Sequence, residues 1–300
     1  MGFRILIKLI EIKTLIAGIV PVLLGSIYSW YAYGQFNLNY FILLSIAIIL
    51  IQSATNMIND YCDYKRGVDI SREEDEKVLV SGEVTPKQVL PIILICELIA
   101  LMIGVFIAKE TSYHVLLVGI TGCIISILYS SGPRPISYTP IGEVVSGVTM
   151  GIGITTTVIY VHTGIFNVDT VLVATPTALF IGTILLSNNL SDIEIDIEAG
   201  RKTLPTLIGV KISEKLWIFN VIMLLGLTFL LFVIDIYPIG VFVTVIVLFP
   251  YKSILDFLSY DKSVHTKGKT MGLIAGIGFK YHLGVILGLL VSFIFRKGVY

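Results

Sequence analysis

The stretch Asn56-Met-Ile-Asn59-Asp60-Tyr-Cys-Asp63-Tyr-Lys65-Arg66-Gly67-Val-Asp69 closes a segment, Asn39 to Thr55, that carries no charge at all. Asn56 and Asp60 stand four apart and Asn56 and Asp63 seven apart, so on a helix the three side chains lie along one face. Asn59 and Asp63 repeat the four-residue spacing. Carboxylates stacked on one stripe repel each other unless a cation sits between them. A hard divalent ion such as Mg²⁺ takes oxygen ligands and binds through one or two carboxylates plus substrate phosphates. The competing reading is a solvated helix end whose charges mark a membrane boundary.

A second stretch has the same grammar. Val171 to Leu186 is apolar and runs into Ser187-Asn188-Asn189-Leu-Ser-Asp192-Ile-Glu-Ile-Asp196-Ile-Glu-Ala-Gly200-Arg201-Lys202. Asn188, Asp192 and Asp196 are expected on one helical face, with a glycine and two cations just past its end. Two such endings in one chain are hard to explain as boundary charges alone.

Composition sets the solvent. Of the 300 residues 55% are hydrophobic and 14% charged, and the mean hydropathy is +0.91. No soluble domain hides that much apolar surface, so the chain is read as an all-α, polytopic membrane protein embedded in a lipid bilayer. A formal net charge of zero and the lack of a basic tail argue against nucleic acid. Cys62, Cys96 and Cys123 form no CxxC pair, as suits a reducing compartment. The first apolar run lacks a small-x-small cleavage site and reads as a retained span.

Apolar runs near 20 residues predict about nine spans, at 14–33, 39–58, 88–108, 112–130, 141–162, 169–189, 214–235, 238–258 and 274–295. With the N-terminus inside, the outer segments hold only Lys109, Arg296 and Lys297, Lys280 falls within the last span, and the other cations lie inside. This asymmetry places both Asp-rich endings on the cytoplasmic side of a cell membrane. With no linker or low-complexity stretch, one domain over residues 1–300 is expected.

Other residues invite chemistry. Arg72 and Lys77 follow the first cluster and are placed to close over diphosphate oxygens, although Glu73 to Glu76 between them equally suits a solvated loop. Three prolines and two glycines in Gly132-Pro-Arg134-Pro-Ile-Ser-Tyr138-Thr-Pro-Ile-Gly142 predict a rigid loop. Tyr129 precedes it and Tyr138 lies within it, as an aromatic lining or as interfacial anchors. Glu97 stands alone inside its span, where a charge costs about 2.5–3.5 kcal/mol, and a buried interhelical hydrogen bond is its simplest role.

These residues resemble the UbiA superfamily of intramembrane prenyltransferases. Asn56, Asp60 and Asp63 match its first signature, and Asp192 and Asp196 its second. Asn59 to Asp63, Gly67-Val-Asp69, Ser81 to Thr85, Gly132 to Pro135 and Asn188 to Asp192 are most similar to the branch that prenylates 1,4-dihydroxy-2-naphthoate, as is the opening Lys13-Thr14 with Pro21 to Gly25. The acidic run Glu73 to Glu76 departs from that pattern.

The resemblance implies a helical bundle around a central cavity in which Asn56, Asp60, Asp63, Asp192 and Asp196 hold Mg²⁺ on the diphosphate of a polyprenyl donor. Asn59, Lys65, Arg72, Lys77, Tyr129, Arg134, Tyr138, Asn188, Asn189, Arg201 and Lys202 would bind the substrates, a polyprenyl diphosphate and an aromatic acceptor. Asp63 or Asp69 would take the acceptor's proton. Two alternatives stand beside this: a family member with another acceptor, such as 4-hydroxybenzoate or haem, and a cation-coupled transporter. Transporters place such carboxylates near the midplane on broken helices, whereas these sit at span ends.

Overall fold

The computed structural model describes residues 2–68 and 78–297. Asp69, Arg72 and Lys77, with the acidic run between them, lie outside the described residues. The described chain is helical, with eight helices long and apolar enough to cross a membrane, or nine if one bent pair is a single span. It divides into two compact units, Met1–Ile19 with Leu38–Tyr138, and Val20–Asn37 with Thr139–Tyr300.

In the first unit, α1 (Phe3–Leu9) is followed by the start of α2 (Ile16–Tyr33), and then come α3 (Leu38–Arg66), α4 (Pro86–Glu110) and α5 (Tyr113–Ser130). Helix α3 runs well past the expected end at 58, so Asn56, Asp60 and Asp63 ride on one continuous helix. Leu9, Ala54, Met57, Val78, Leu79, Val84 and Val89 form a buried cluster that seats α1 and the segment after 78 against α3. Ser81 to Thr85 serves this packing. Gly82 takes a positive φ of 75° that a side chain would strain, and Thr85 opens α4 with a capping box to Gln88. Glu97 on α4 is half-buried and hydrogen-bonded to the Cys123 thiol of α5, the interhelical role expected of it.

The second unit holds the rest of α2, α6 (Gly142–Ser146), a π-helical turn (Gly147–Gly153), α7 (Ile154–Thr163) and α8 (Val168–Ser191). Short α9 (Ile193–Glu198) and α10 (Leu204–Ile208) precede α11 (Val210–Val233), α12 (Ile239–Leu248), α13 (Lys252–Ser259) and α14 (Lys267–Lys297). The span expected over 238–258 is broken, with α12 and α13 bent by 43°. Pro250 explains the break: it offers no N–H to the ladder and holds Phe249 in an extended conformation (ψ 127°). The last helix begins at Lys267 rather than 274, so His282 lies near its middle.

Helix α8 is gripped on several sides. Alanine in place of Gly147 or Gly151 would put its Cβ 2.5 Å or less from the Ala178 backbone, so the π turn lies directly on α8. Trp217 of α11 donates its indole N–H to Ser187 Oγ at 2.6 Å and stacks on Phe257 of α13 at 3.7 Å. Lys262 closes α13 through the carbonyls of Phe257 and Tyr260 and pairs with Glu214 at 3.2 Å. The last turn of α8 is thereby held in place.

Candidate active site

The first cluster is built on α3. Asn56 donates both amide hydrogens, to the Ile10 carbonyl at 2.7 Å and to Thr14 Oγ1 at 2.8 Å. That fixes which way the amide points and leaves Oδ1, 3.4 Å from Gln52 Nε2, as its acceptor. Asp60 and Asp63, at 4% and 3% exposure, are buried on the same helix, so the shared face holds. Buried carboxylates are sustained by partners, not by water. Asn59 accepts from Ser130 Oγ at 3.0 Å. Lys65 is exposed, as is Arg134, and Tyr129 is half-buried.

Arg66, which the sequence reading passed over, ties this cluster to the loop after α5. Its guanidinium donates to the carbonyls of Ser130 at 2.8 Å and Gly132 at 3.3 Å. It also covers one face of the Tyr138 ring at 5.0 Å. The expected loop is therefore pinned, and it includes a short 3₁₀ turn at Ile136–Tyr138 where no helical turn was expected. Proline at 135 suits the start of such a turn.

The second cluster departs from a single helical face. Helix α8 ends at Ser191, Asp192 caps it with non-helical dihedrals (φ −100°, ψ 9°), and Asp196 belongs to α9. The four-residue spacing nevertheless survives, because Asp192 N–H donates to Asn188 and Asp196 N–H to Asp192. Both carboxylates are buried, at 2% and 1% exposure. Gly200 explains the next turn. With a φ of 69° it donates to the Ile197 carbonyl while Arg201 N–H reaches back to the Asp196 carbonyl, the pair of bonds of a Schellman ending.

That turn brings Arg201 Nη1 to 3.5 Å from Asp196 Oδ1, and Thr203 Oγ1 donates to Asp196 Oδ2 at 3.1 Å. Lys267, at the start of α14, places Nζ 2.6 Å from Asp192 Oδ2. Carboxylates stacked this closely need a counter-charge. In the second cluster the protein supplies it through Arg201 and Lys267, whereas Lys202 is exposed. Lys267 was legible only as one more inner cation ahead of the last span. Burial pushes the Asp196 carboxyl up to about 6, against the pull of Arg201.

Asn189 turns its amide to Glu143, donating from Nδ2 to Oε1 at 2.9 Å. Glu143, which the sequence does not single out, is buried in the first turn of α6.

Among the described residues, no group of three or more Asp, Glu, His or Cys side chains could hold a metal ion between them. The donors present are carboxylate and amide oxygens in pairs. That set fits a hard cation that takes one or two carboxylates and completes its shell with phosphate and water.

A family model for UbiA prenyltransferases matches residues 18–274. The chain belongs to the UbiA prenyltransferase family. It is 38% identical to a 1,4-dihydroxy-2-naphthoate octaprenyltransferase of Bacillus subtilis (strain 168), over 69% of this chain and 67% of that protein. It is 30% identical to UbiA prenyltransferase domain-containing protein 1 of Xenopus tropicalis, over 67% of this chain and 59% of that longer protein. Solved UbiA homologs share the fold. One from Aeropyrum pernix K1 superposes with a TM-score of 0.71 at 15% identity, covering 90% of this chain and 96% of that one. Another, from Archaeoglobus fulgidus and bound to GPP and Mg²⁺, has a TM-score of 0.66 at 17% identity, covering 92% and 99%. Family membership settles the class: this UbiA protein is a multi-pass membrane prenyltransferase.

Proposed function

We propose that this protein transfers a polyprenyl group from a polyprenyl diphosphate to an aromatic quinone precursor, with 1,4-dihydroxy-2-naphthoate as acceptor. The observation that carries the reading is the construction of the second cluster: two buried aspartates, each held by a protein cation, at the end of an immobilised span. The 38% identical Bacillus relative supports the choice of acceptor.

In this reading Asp60, Asp63, Asp192 and Asp196, with Asn56 Oδ1, are the oxygen donors for Mg²⁺. Bound there, the metal supplies charge neutralisation for a departing diphosphate. Arg201 and Lys267 neutralise the second pair, and with a metal on the carboxylates they would serve diphosphate oxygens instead. Lys65, Arg134 and Lys202 are exposed cations that reach incoming phosphate from outside, and Asn59 and Asn188 add polar contacts. Tyr129 and Tyr138 supply aromatic rings for the acceptor or for developing positive charge. The donor's allylic C–O bond breaks, the electron-rich ring forms the new C–C bond, and in this branch the ring carboxylate leaves as CO₂. In this reading water that would quench the allylic cation is kept from the reacting atoms. The chain acts as one functional domain with its N-terminus and catalytic groups on the cytoplasmic side.

The test is an assay of purified protein with a labelled polyprenyl diphosphate and a panel of aromatic acceptors, in millimolar Mg²⁺ or in excess EDTA. Prenylated naphthoate product only with Mg²⁺ is expected. Product with another acceptor alone moves the assignment within the family, and equal turnover in EDTA removes the metal.

A further inference from the structure

Glu143 is the buried acid that the proposed reaction leaves unused. It is 6% exposed. Its Oε1 is committed to Asn189 Nδ2 at 2.9 Å, and its Oε2 is buried with no hydrogen-bond partner. A buried oxygen without a donor is costly, and a ligand that brings one removes the cost.

The position is built, not incidental. A Cβ at Gly182 of α8 would lie 3.0 Å from the Glu143 carbonyl oxygen, so the two backbones are close there. The π turn that follows Glu143 rests on Ala178, one helical turn earlier on α8. Such π segments are frequent at functional sites. The carboxyl is thereby fixed to the last turns of α8, with Asn189 three residues before Asp192. Asp196 is close enough to act on it electrostatically.

We propose that Glu143 Oε2 accepts a hydrogen bond from a ring hydroxyl of the aromatic acceptor and so selects and orients it, an inference that rests on the prenyl-transfer reading above. The ligand chemistry leaves this partner. A diphosphate is anionic and offers no O–H donor, so a carboxylate repels it. The diphosphate site is already furnished with Arg201 and Lys267. A hydroxylated aromatic ring brings the donor that Oε2 lacks, and a site built to bond a substrate hydroxyl rejects analogues without it.

Glu143→Gln tests this sharply. The amide keeps an oxygen for Asn189 but turns an N–H₂ donor to the place where Oε2 stood, so the helix contact survives while the hydrogen-bond polarity reverses. For the variant, kcat/KM for 1,4-dihydroxy-2-naphthoate should fall about 10- to 100-fold with KM for the polyprenyl diphosphate within about two- to three-fold of the parent. The monomethyl ethers of the acceptor, which accept but cannot donate at one position, supply the second arm as competitive inhibitors. The parent should bind at least one ether much more weakly than the diol, and Glu143→Gln should narrow that gap. If the parent does not discriminate, the inference is overturned even should the variant fail to accumulate. A rise in the diphosphate KM or in the Mg²⁺ requirement, with acceptor KM unchanged, would instead make Glu143 a metal ligand and also overturn it. A parent that makes no prenylated product with any acceptor removes the underlying reading, whereas an active parent with a parent-like variant removes only the role of Glu143.

Discussion

Lys267 Nζ lies 2.6 Å from Asp192 Oδ2, joining the first turn of the last helix to the end of α8. The aspartate is almost fully enclosed, with side-chain exposure of 3%, and the lysine retains 22%. A buried carboxylate paired with a partly solvated cation suits a place that exchanges its counter-charge. Arrival of a divalent ion would displace the lysine at modest cost, because its ammonium is a point charge on a flexible stem. Arg201 Nη1 lies 3.5 Å from Asp196 Oδ1 and is more enclosed, at 10% side-chain exposure.

Replacing Lys267 by Met should therefore expose a dependence that the parent hides. In EDTA the variant leaves Asp192 without that cation, and stability should drop by about 1–3 kcal/mol, discounted for the lysine's partial exposure. Millimolar Mg²⁺ should raise the Tm of the variant more than that of the parent, as a ligand bound to the folded state does. Equal Tm shifts in the two proteins would place the metal elsewhere.

Asp196 predicts a pH dependence with a definite sign. Burial raises its folded-state value to about 6, above the ordinary value near 4, so the folded metal-free protein favours the protonated acid. Its stabilising contribution is complete below pH about 4 and is lost as pH rises through about 6, on the order of 2–3 kcal/mol in all. Divalent-ion binding needs the carboxylate and should strengthen through the same window. Tm in EDTA across this range should fall less steeply for Asp196→Asn than for the parent. Identical slopes would show that another group titrates.

The sequence made the spans and the two acidic endings legible because hydropathy and four-residue spacing are local properties. It placed Asn56, Asp60 and Asp63 correctly on one helix, since nothing between Leu38 and Arg66 interrupts α3. It merged α8 with α9 because an i to i+4 pattern looks the same whether or not Asp192 leaves helical dihedrals. It read 238–258 as one span although Pro250 stood in plain view. Lys267, Arg66 and Glu143 were hidden for a different reason: each acts on a residue tens of positions away, and only packing brings such partners together.

The Lys/Arg asymmetry predicts sidedness. In a background without Cys62, Cys96 and Cys123, a cysteine replacing exposed Lys202 should resist an impermeant thiol reagent in intact cells, and one replacing exposed Tyr113 should react. The reverse labelling pattern would invert the topology and put the acidic clusters outside.

Neighbouring acids on α9 separate metal ligands from boundary charge. Glu194 and Glu198 are exposed while Asp196 between them is buried, so three carboxylates of one short helix differ mainly in where they point. If Asp196 and Asp192 hold the metal, Asp192→Asn and Asp196→Asn should lower turnover by about 10² or more, a range common for groups that act in the chemical step. Asp60→Asn and Asp63→Asn on α3 should do the same. Glu194→Gln and Glu198→Gln remove equal charge from the same helix and should stay within about three-fold of the parent, because exposed charges interact weakly through water. Accumulation and Tm of each variant separate loss of chemistry from loss of fold, and Asn preserves the shape of Asp while a spare hydrogen-bond donor answers Arg201 poorly. Asp196→Asn should nonetheless be no less stable than the parent at neutral pH, because burial raises the pKa of the parent acid to about 6, while its turnover collapses. A uniform effect across buried and exposed acids would return these residues to boundary charges and favour the transporter-like alternative for this end of the bundle.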